Sequence, residues 1–250
     1  MYHFFVPPDQ IQDKRIRITG GDVNHIKNVL RLKPGDEISV SNGADQREYR
    51  CGIVEYTQDE VLCELRFIKE DGVELPCPVT LYQGIPKGDK MEFIIQKAVE
   101  LGVARIVPVA MKRCVVRLDD KKAASRRERW QAIAQAAAKQ SRRAVVPQVS
   151  LPLRWEEAAQ EAAGADVALL PYELAEDFGH TRELIGGLKK GQSISVMIGP
   201  EGGFDEEEIA LADSLNIERI TLGKRILRTE TAGMVMLSVL MYEMESRRFE

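Results

Sequence analysis

The sequence predicts an α/β protein in which a parallel sheet follows a smaller β domain. Between residues 79 and 246, short apolar runs alternate with helical stretches, a pattern typical of parallel strands joined by crossover helices. Before residue 70, strand-like runs follow one another with almost no helix between them. The chain of 250 residues is 44% apolar and 30% charged, which is typical of a globular protein with one large or two smaller domains.

The first segment is predicted to form a small β-barrel. Its strands are separated by Gly, Asp and Asn, and they are expected at 2–6, 15–18, 37–41, 49–56 and 61–68. One short helix is expected at about 22–30. The stretch 70–78 contains Gly72, Pro76 and Pro78 and is the predicted linker. We therefore place a first domain at residues 1–72 and a second at residues 73–250.

The second segment is predicted to alternate between strand and helix. Its apolar runs predict buried strands at 79–83, 106–109, 167–170, 194–198 and 220–222. Helices are expected at 90–101, 125–139, 155–163, 206–215 and 232–246. No apolar run approaches the ~18 residues of a membrane span, and the first ten residues lack the pattern of a secretory signal. A cytoplasmic location without membrane contact is therefore expected.

Two glycine-bearing loops are the strongest candidates for a ligand site. The first spans 199–204 and the second 222–232, and each follows a predicted strand and precedes a predicted helix. Ligands of open α/β sheets bind at such carboxyl ends of strands. The first loop runs into four carboxylates at 205–208, which would repel a phosphate, so a ligand without phosphates is favoured. A glycine turn feeding a well-capped helix is the alternative for this loop.

The second loop has more charge than a plain connection needs. Lys224, Arg225 and Arg228 lie beside Thr229 and Glu230, just before a long apolar helix. Functional residues concentrate on loops held by a rigid scaffold. The loop therefore predicts a functional role.

Charge is segregated along the chain. Residues 86–143 carry 15 Lys and Arg against 6 Asp and Glu, whereas residues 144–250 carry 10 against 19. A basic segment of this kind favours a polyanion such as RNA, although a solvated, salt-bridged helix surface is the alternative. The candidate phosphate contacts are Arg31, Lys33, Lys87, Lys90, Arg142 and Arg143.

The sequence gives no sign of a metal site. The four cysteines lack Cys-x-x-Cys spacing and the three histidines show no ligand pairing, so reduced cysteines and no metal are expected. The last helix has apolar residues over more than the single stripe that a surface helix needs. This second apolar face favours a partner subunit, with burial inside one large domain as the alternative.

These features resemble a known family. The two loops, together with 25–36, 86–91, 97–102 and 139–143, are similar to the SPOUT superfamily of S-adenosylmethionine-dependent methyltransferases. Within it they resemble the ribosomal RNA small-subunit methyltransferase E family, which methylates N3 of one uridine in 16S rRNA. The resemblance implies a PUA-like RNA-binding first domain, a trefoil knot roughly between residues 194 and 245, and a homodimer through the last helix. It also implies 16S rRNA within the small ribosomal subunit as the partner.

The resemblance further implies where S-adenosylmethionine and the substrate lie. The expected cofactor-binding residues are Leu170, Pro171, Gly199, Pro200, Glu201, Gly202, Leu222, Gly223, Ile226, Leu227, Arg228 and Thr229. Arg228 is the expected stabiliser of a deprotonated uracil, because its guanidinium offers paired donors to the base oxygens. Glu230 or Glu201 could accept the N3 proton if burial raised its pKa. A ribose 2′-O-methyltransferase and a non-catalytic RNA-binding protein are the alternatives.

Overall fold

The computed structural model describes residues 1–70 and 72–246. The chain divides into two compact units. The first unit consists of Met1–Glu74 and Ala138–Val146, and the second consists of Leu75–Ala137 and Pro147–Glu250. A short piece from the middle of the chain is therefore part of the N-terminal unit.

The first unit is built on a six-stranded, curled sheet. Along the sheet the strands have the order β1-β4-β5-β6-β3-β2, in which β1 pairs with β4 in parallel and the other pairs are antiparallel. The strands are β1 (His3–Phe5), β2 (Ile11–Gln12), β3 (Arg15–Thr19), β4 (Glu37–Ser41), β5 (Glu48–Tyr56) and β6 (Glu60–Lys69). In β3, Ile16 and Ile18 are buried while their neighbours face solvent, as the two-residue period of a strand requires. The predicted helix is α1 (Gly21–Asn24), continued by one π-helical turn, His25–Val29.

The second unit contains a seven-stranded sheet in which every pairing is parallel. The strands are β7 (Val79–Gly84), β8 (Arg105–Ala110), β9 (Gln148–Val149), β10 (Leu153–Arg154), β11 (Val167–Pro171), β12 (Ile194–Ile198) and β13 (Glu218–Ile220). The predicted α/β class, with a small β domain before a parallel sheet, is confirmed. Strand β12 is buried along its whole length, which explains its unbroken apolar sequence.

In the part of the chain that the structure describes, six helices occur between or after the strands of this sheet: α2 (Lys90–Glu100), α3 (Asp120–Ser141), α4 (Trp155–Ala163), α5 (Phe178–Gly186), α6 (Glu206–Ser214) and α7 (Thr229–Ser246). Helix α5 was not predicted, because Gly179 and Gly186 weaken its helical signal. Its N-cap, Asp177, accepts a hydrogen bond from the backbone of His180 at 2.9 Å. Helix α7 begins three residues earlier than predicted.

The strand order determines where the two loops meet. Strand β12 lies between β7 and β11, and β13 lies on the far side of β11. The carboxyl ends of these four strands therefore lie at one edge of the sheet, in the position where ligands of α/β proteins bind. All four cysteines are buried and none forms a disulfide. No helix within residues 1–70 and 72–246 is long and apolar enough to cross a membrane.

Candidate active site

The first loop, residues 199–204, leads from β12 to Asp205, the N-cap of helix α6. The carboxylate of Glu208 accepts from the backbone N–H of Asp205 at 2.8 Å, which is half of a capping box. Lys112 lies 2.9 Å from the Asp205 carboxylate and 3.2 Å from that of Glu207. The acidic run therefore stabilises the helix start, and it leaves this N-terminus unsuited to an anion.

Two glycines allow this loop to pack closely. A Cβ on Gly84, at the end of β7, would lie 2.6 Å from the backbone nitrogen of Pro200, so only glycine fits there. Gly203 has a φ of +67°, a left-handed conformation that favours glycine. A residue outside the loop also stabilises it: a guanidinium nitrogen of Arg113 donates a hydrogen bond to the Gly202 carbonyl at 3.1 Å.

The second loop ends in the first turn of α7. The carbonyl of Arg228 accepts from the backbone N–H of Ala232 at 2.8 Å, so the last residues of the second loop, from Thr229 on, already form the first turn of the helix. Thr229 is buried, and its hydroxyl donates to the Gly199 carbonyl at 2.6 Å. The two loops are therefore hydrogen-bonded to each other.

The loops enclose a pocket of about 410 Å³. Nine of the twelve predicted cofactor-binding residues line it: Pro171, Gly199, Pro200, Glu201, Gly202, Ile226, Leu227, Arg228 and Thr229. Leu222 and Gly223 line an adjoining hollow of about 80 Å³, which shares Pro171 and Leu227 with the pocket. Leu170 lies in the hydrophobic core with no exposed surface and does not line the pocket.

Lys90 joins two carboxylates at the pocket. Its ammonium lies 3.0 Å from Oε1 of Glu201 and 3.4 Å from Oε2 of Glu230. The Glu230 oxygen is buried and, among the described residues, accepts no well-aligned hydrogen bond. Lys90 was predicted as a phosphate contact, but its charge is directed at these carboxylates. Neither ion pair could be predicted from the sequence, because the partners are more than 100 residues apart.

The surroundings of Glu201 make it a poor proton acceptor. Burial alone would raise its pKa, but hydrogen bonds from the Lys90 ammonium and from backbone N–H groups, including that of Lys87 at 3.1 Å, outweigh burial and lower the pKa below 4.5. A role of Glu201 as the base would require an upward shift of this pKa. The direction is the opposite, because the group is ionically paired.

Arg228 lines the pocket with an exposed side chain. Within residues 1–70 and 72–246 its guanidinium makes no hydrogen bond or ion pair. A guanidinium with five donors at the edge of a pocket can bind a planar group with paired oxygen acceptors.

The remaining predicted phosphate contacts differ in exposure. Arg31, Lys33 and Arg142 are exposed in the first unit, and Arg31 and Arg142 have φ values of 54° and 60°. Arg143 is 3% exposed and forms a buried ion pair with Glu74. The structure therefore argues against Arg143 as a phosphate contact, because its guanidinium is covered. Lys87 is exposed in the second unit, in the connection between β7 and α2.

Comparison with known families identifies both parts of the chain. Residues 73–241 match the model of the RNA methyltransferase domain, and residues 18–74 match that of the RNA methyltransferase PUA domain. The chain is 39% identical over 234 residues to ribosomal RNA small subunit methyltransferase E of Bacillus subtilis, covering 92% of this chain and 91% of the relative.

Solved structures agree with these matches. The enzyme of the same name from Neisseria gonorrhoeae, solved bound to S-adenosylmethionine, is 32% identical with a TM-score of 0.82, and the match covers 96% of each chain. A Legionella pneumophila protein solved in complex with the same cofactor is 30% identical with a TM-score of 0.80, covering 95% of this chain and 96% of that one. The chain belongs to the ribosomal RNA small subunit methyltransferase E family.

Proposed function

We propose that the pocket between the two loops binds S-adenosylmethionine and that the protein methylates N3 of a uridine in 16S rRNA of the small ribosomal subunit. The observation that carries this proposal is the hydrogen-bonded pair of glycine loops at the carboxyl ends of β12 and β13, two strands of the parallel sheet that are separated by β11. The gonococcal relative, which was solved with the cofactor bound, supports it.

The lining of the pocket fits a cofactor without phosphates. Backbone groups of the first loop and the side chains of Ile226 and Leu227 offer polar and apolar surface for an adenosine group. The Lys90 ammonium forms an ion pair with the Glu201 carboxylate. Glu173 adds a second carboxylate to the lining of the pocket. The Glu173 carboxylate suits a positively charged sulfonium, whereas the charge of Glu201 is offset by Lys90. When bound, S-adenosylmethionine supplies an electrophilic methyl group.

Arg228 is the residue best placed to act on the base. Methylation of uracil at N3 requires the N3 proton to leave and the negative charge on the ring to be stabilised. A guanidinium can donate charge-assisted hydrogen bonds to O2 or O4, the exocyclic oxygens of the base that carry this charge. The Arg228 side chain is exposed and has no hydrogen-bond or ion-pair partner within residues 1–70 and 72–246, so it is suited to that role, with the target nucleotide flipped towards it.

Glu230 is the better of the two candidate bases. Its carboxylate is about one-sixth exposed, and its Oε2 lacks a well-aligned donor in the described part of the chain. Glu201, by contrast, is held ionised by Lys90 and backbone donors, which lower its pKa. We therefore assign the proton acceptor to Glu230 and a loop-fixing role to Glu201.

RNA binding is assigned to exposed cations of each unit. Arg31, Lys33 and Arg142 supply them in the first unit, and Lys87 supplies one in the second. Phosphate contacts of this kind position RNA without reading its sequence. This function also implies a cytoplasmic location.

The homodimer and the trefoil knot are part of the same proposal. Helix α7 buries Met236, Leu237, Leu240 and Met244 within the unit, whereas Val239 and Tyr242 are 39% and 72% exposed. These two exposed side chains support a second contact face for another copy of the chain. The knot would lie between residues 194 and 245.

The direct test is methyl transfer. Small subunits reconstituted with transcribed 16S rRNA should accept a labelled methyl group from S-adenosylmethionine, and reactions without protein should not. A protein that binds the subunits but transfers no methyl group would instead support the non-catalytic alternative.

A further inference from the structure

Gln83 is a buried polar residue in an otherwise buried strand. It is the penultimate residue of β7, has no exposed surface, and pairs in register with Ile198 of β12. Burying an amide is costly unless it is hydrogen-bonded. An apolar residue would suit a position that served packing alone, so the amide requires another explanation.

Hydrogen bonds fix the orientation of this amide. The Gln83 nitrogen donates to the Gly84 carbonyl at 3.0 Å and to the Thr229 hydroxyl oxygen at 2.8 Å. Turning the amide over would place its oxygen against a carbonyl, which cannot donate. The nitrogen therefore points to Thr229.

This orientation also sets the direction of the next bond. Because the Thr229 oxygen accepts from Gln83, its single proton is available for the Gly199 carbonyl, 2.6 Å away. Two hydrogen bonds of fixed direction therefore connect Gln83 through Thr229 to Gly199, and we call this pair of hydrogen bonds the relay. Thr229 and Gly199 belong to different sides of the pocket, and Gln83 lies beneath both.

We propose that Gln83 is a positioning residue for the cofactor pocket and that it acts by orienting Thr229, which holds the two loops at a fixed separation. The inference rests on the proposed function, because it assumes that this pocket binds S-adenosylmethionine. Local packing agrees with it. Gly84 lies so close to Pro200 that the end of β7 supports the first loop directly, and a Cβ on Gly233 of α7 would lie 3.6 Å from the Gln83 oxygen. The amide therefore lies at the point where β7, α7 and the first loop converge.

A double-mutant cycle tests the inference. The dissociation constant of S-adenosylmethionine is measured by calorimetry for wild type, Gln83→Met, Thr229→Val and the double variant. Gln83→Met should weaken binding about 10-fold in the wild-type background, because the loops lose their fixed separation. In the Thr229→Val background it should weaken binding less than about 2-fold, because the relay is already broken.

The control is another glutamine that makes two hydrogen bonds in the same unit. Gln131 donates to the Pro147 carbonyl at 3.0 Å and accepts from the Val149 backbone at 2.9 Å, and it does not line the pocket. Gln131→Met should lower the melting temperature and leave cofactor affinity unchanged. If Gln83→Met does not fold, Gln83→Leu replaces it, because leucine is also apolar, is of similar volume and cannot donate to Thr229.

The outcomes separate this inference from the proposed function. Equal weakening by the Gln83 substitution in both backgrounds would overturn the inference, since Gln83 would then act independently of Thr229. Cofactor binding that is unchanged by Gln83→Met would also overturn it. A wild-type protein that does not bind S-adenosylmethionine would instead contradict the proposed function itself.

Discussion

The ammonium of Lys90 lies 3.0 Å from a carboxylate oxygen of Glu201, and this ion pair connects helix α2 to the first glycine loop. The same ammonium lies 3.4 Å from Glu230 at the start of α7. One cation therefore neutralises carboxylates from both sides of the pocket, which would otherwise repel each other.

Loss of this cation should weaken cofactor binding. Lys90→Met is expected to raise the dissociation constant of S-adenosylmethionine by about 2- to 5-fold, because two carboxylates are left without their partner. Adding Glu201→Gln should restore part of the affinity, since it removes half of the repulsion. Calorimetry on the two variants checks this, and a double variant weaker than Lys90→Met would contradict it.

The pH range in which the ion pair between Lys90 and Glu201 stabilises the protein follows from the pKa shifts of the two groups. The pKa of Glu201 is lowered from 4.5, so its stabilising contribution is present above that value and is lost as pH falls through the lowered pKa. Hydrogen bonding to Glu201 raises the pKa of Lys90 above 10.5, so the contribution of the ammonium is lost only as pH rises beyond that value. The difference in the free energy of unfolding between wild type and Lys90→Met should therefore be constant from about pH 5 to 9.

Arg228 should affect the chemical step rather than cofactor binding. Arg228→Ala is expected to lower kcat by ~100-fold or more while cofactor affinity stays nearly unchanged, because one charge-stabilising donor is lost. Arg228→Lys should recover only part of the rate, since an ammonium lacks the planar fork. Arg154→Ala, which removes an exposed arginine of the same unit outside the pocket, is the control. A large loss of cofactor affinity in Arg228→Ala would place the residue in cofactor binding instead.

Arg142 and Arg143 should behave differently despite being adjacent. Arg142→Ala should reduce the salt slope of RNA binding by about 1, as expected for one lost phosphate contact. Arg143→Ala should instead destabilise the protein by about 3–5 kcal/mol, because it leaves the buried Glu74 unpaired. Filter binding over a salt series and denaturant unfolding distinguish the two. Lys14→Ala, which removes another exposed charge of the first unit, should leave the slope unchanged.

Two substitutions in helix α7 separate association from folding. Tyr242→Glu should convert the dimer to a folded monomer, because this side chain is 72% exposed in the single chain. Leu237→Glu should unfold the protein, since Leu237 is 1% exposed and a carboxylate there has no partner. Light scattering and circular dichroism measure the two effects. A wild-type protein that is monomeric at micromolar concentration would contradict the dimer.

Local sequence patterns were sufficient for most of the fold. Strand β12 and helix α4 have the predicted bounds, because an unbroken apolar run and a regular amphipathic pattern are strong local signals. Helix α5 was missed because its glycines lower helix propensity and burial against neighbours compensates for them. The two-residue strands β9 and β10 carry no periodicity that a sequence pattern could reveal.

The glycine loops were predictable, but their connections were not. Glycines after buried strands indicated the pocket from sequence alone. The relay from Gln83 to Thr229 and the Lys90 ion pairs join residues more than 100 positions apart, and only the strand order brings them together. The sequence does contain one indication that Gln83 has a special role, because it is a polar amide at the end of an apolar strand.

The identity of the modified nucleoside tests directly whether the protein methylates N3 of a uridine. Small subunits reconstituted with transcribed 16S rRNA are treated with protein and S-adenosylmethionine, and the digested RNA is compared with 3-methyluridine and 2′-O-methyluridine standards by mass spectrometry. We expect 3-methyluridine, formed by wild type and strongly reduced with Arg228→Ala. Methyl found on the ribose would contradict base methylation and favour the 2′-O-methyltransferase alternative.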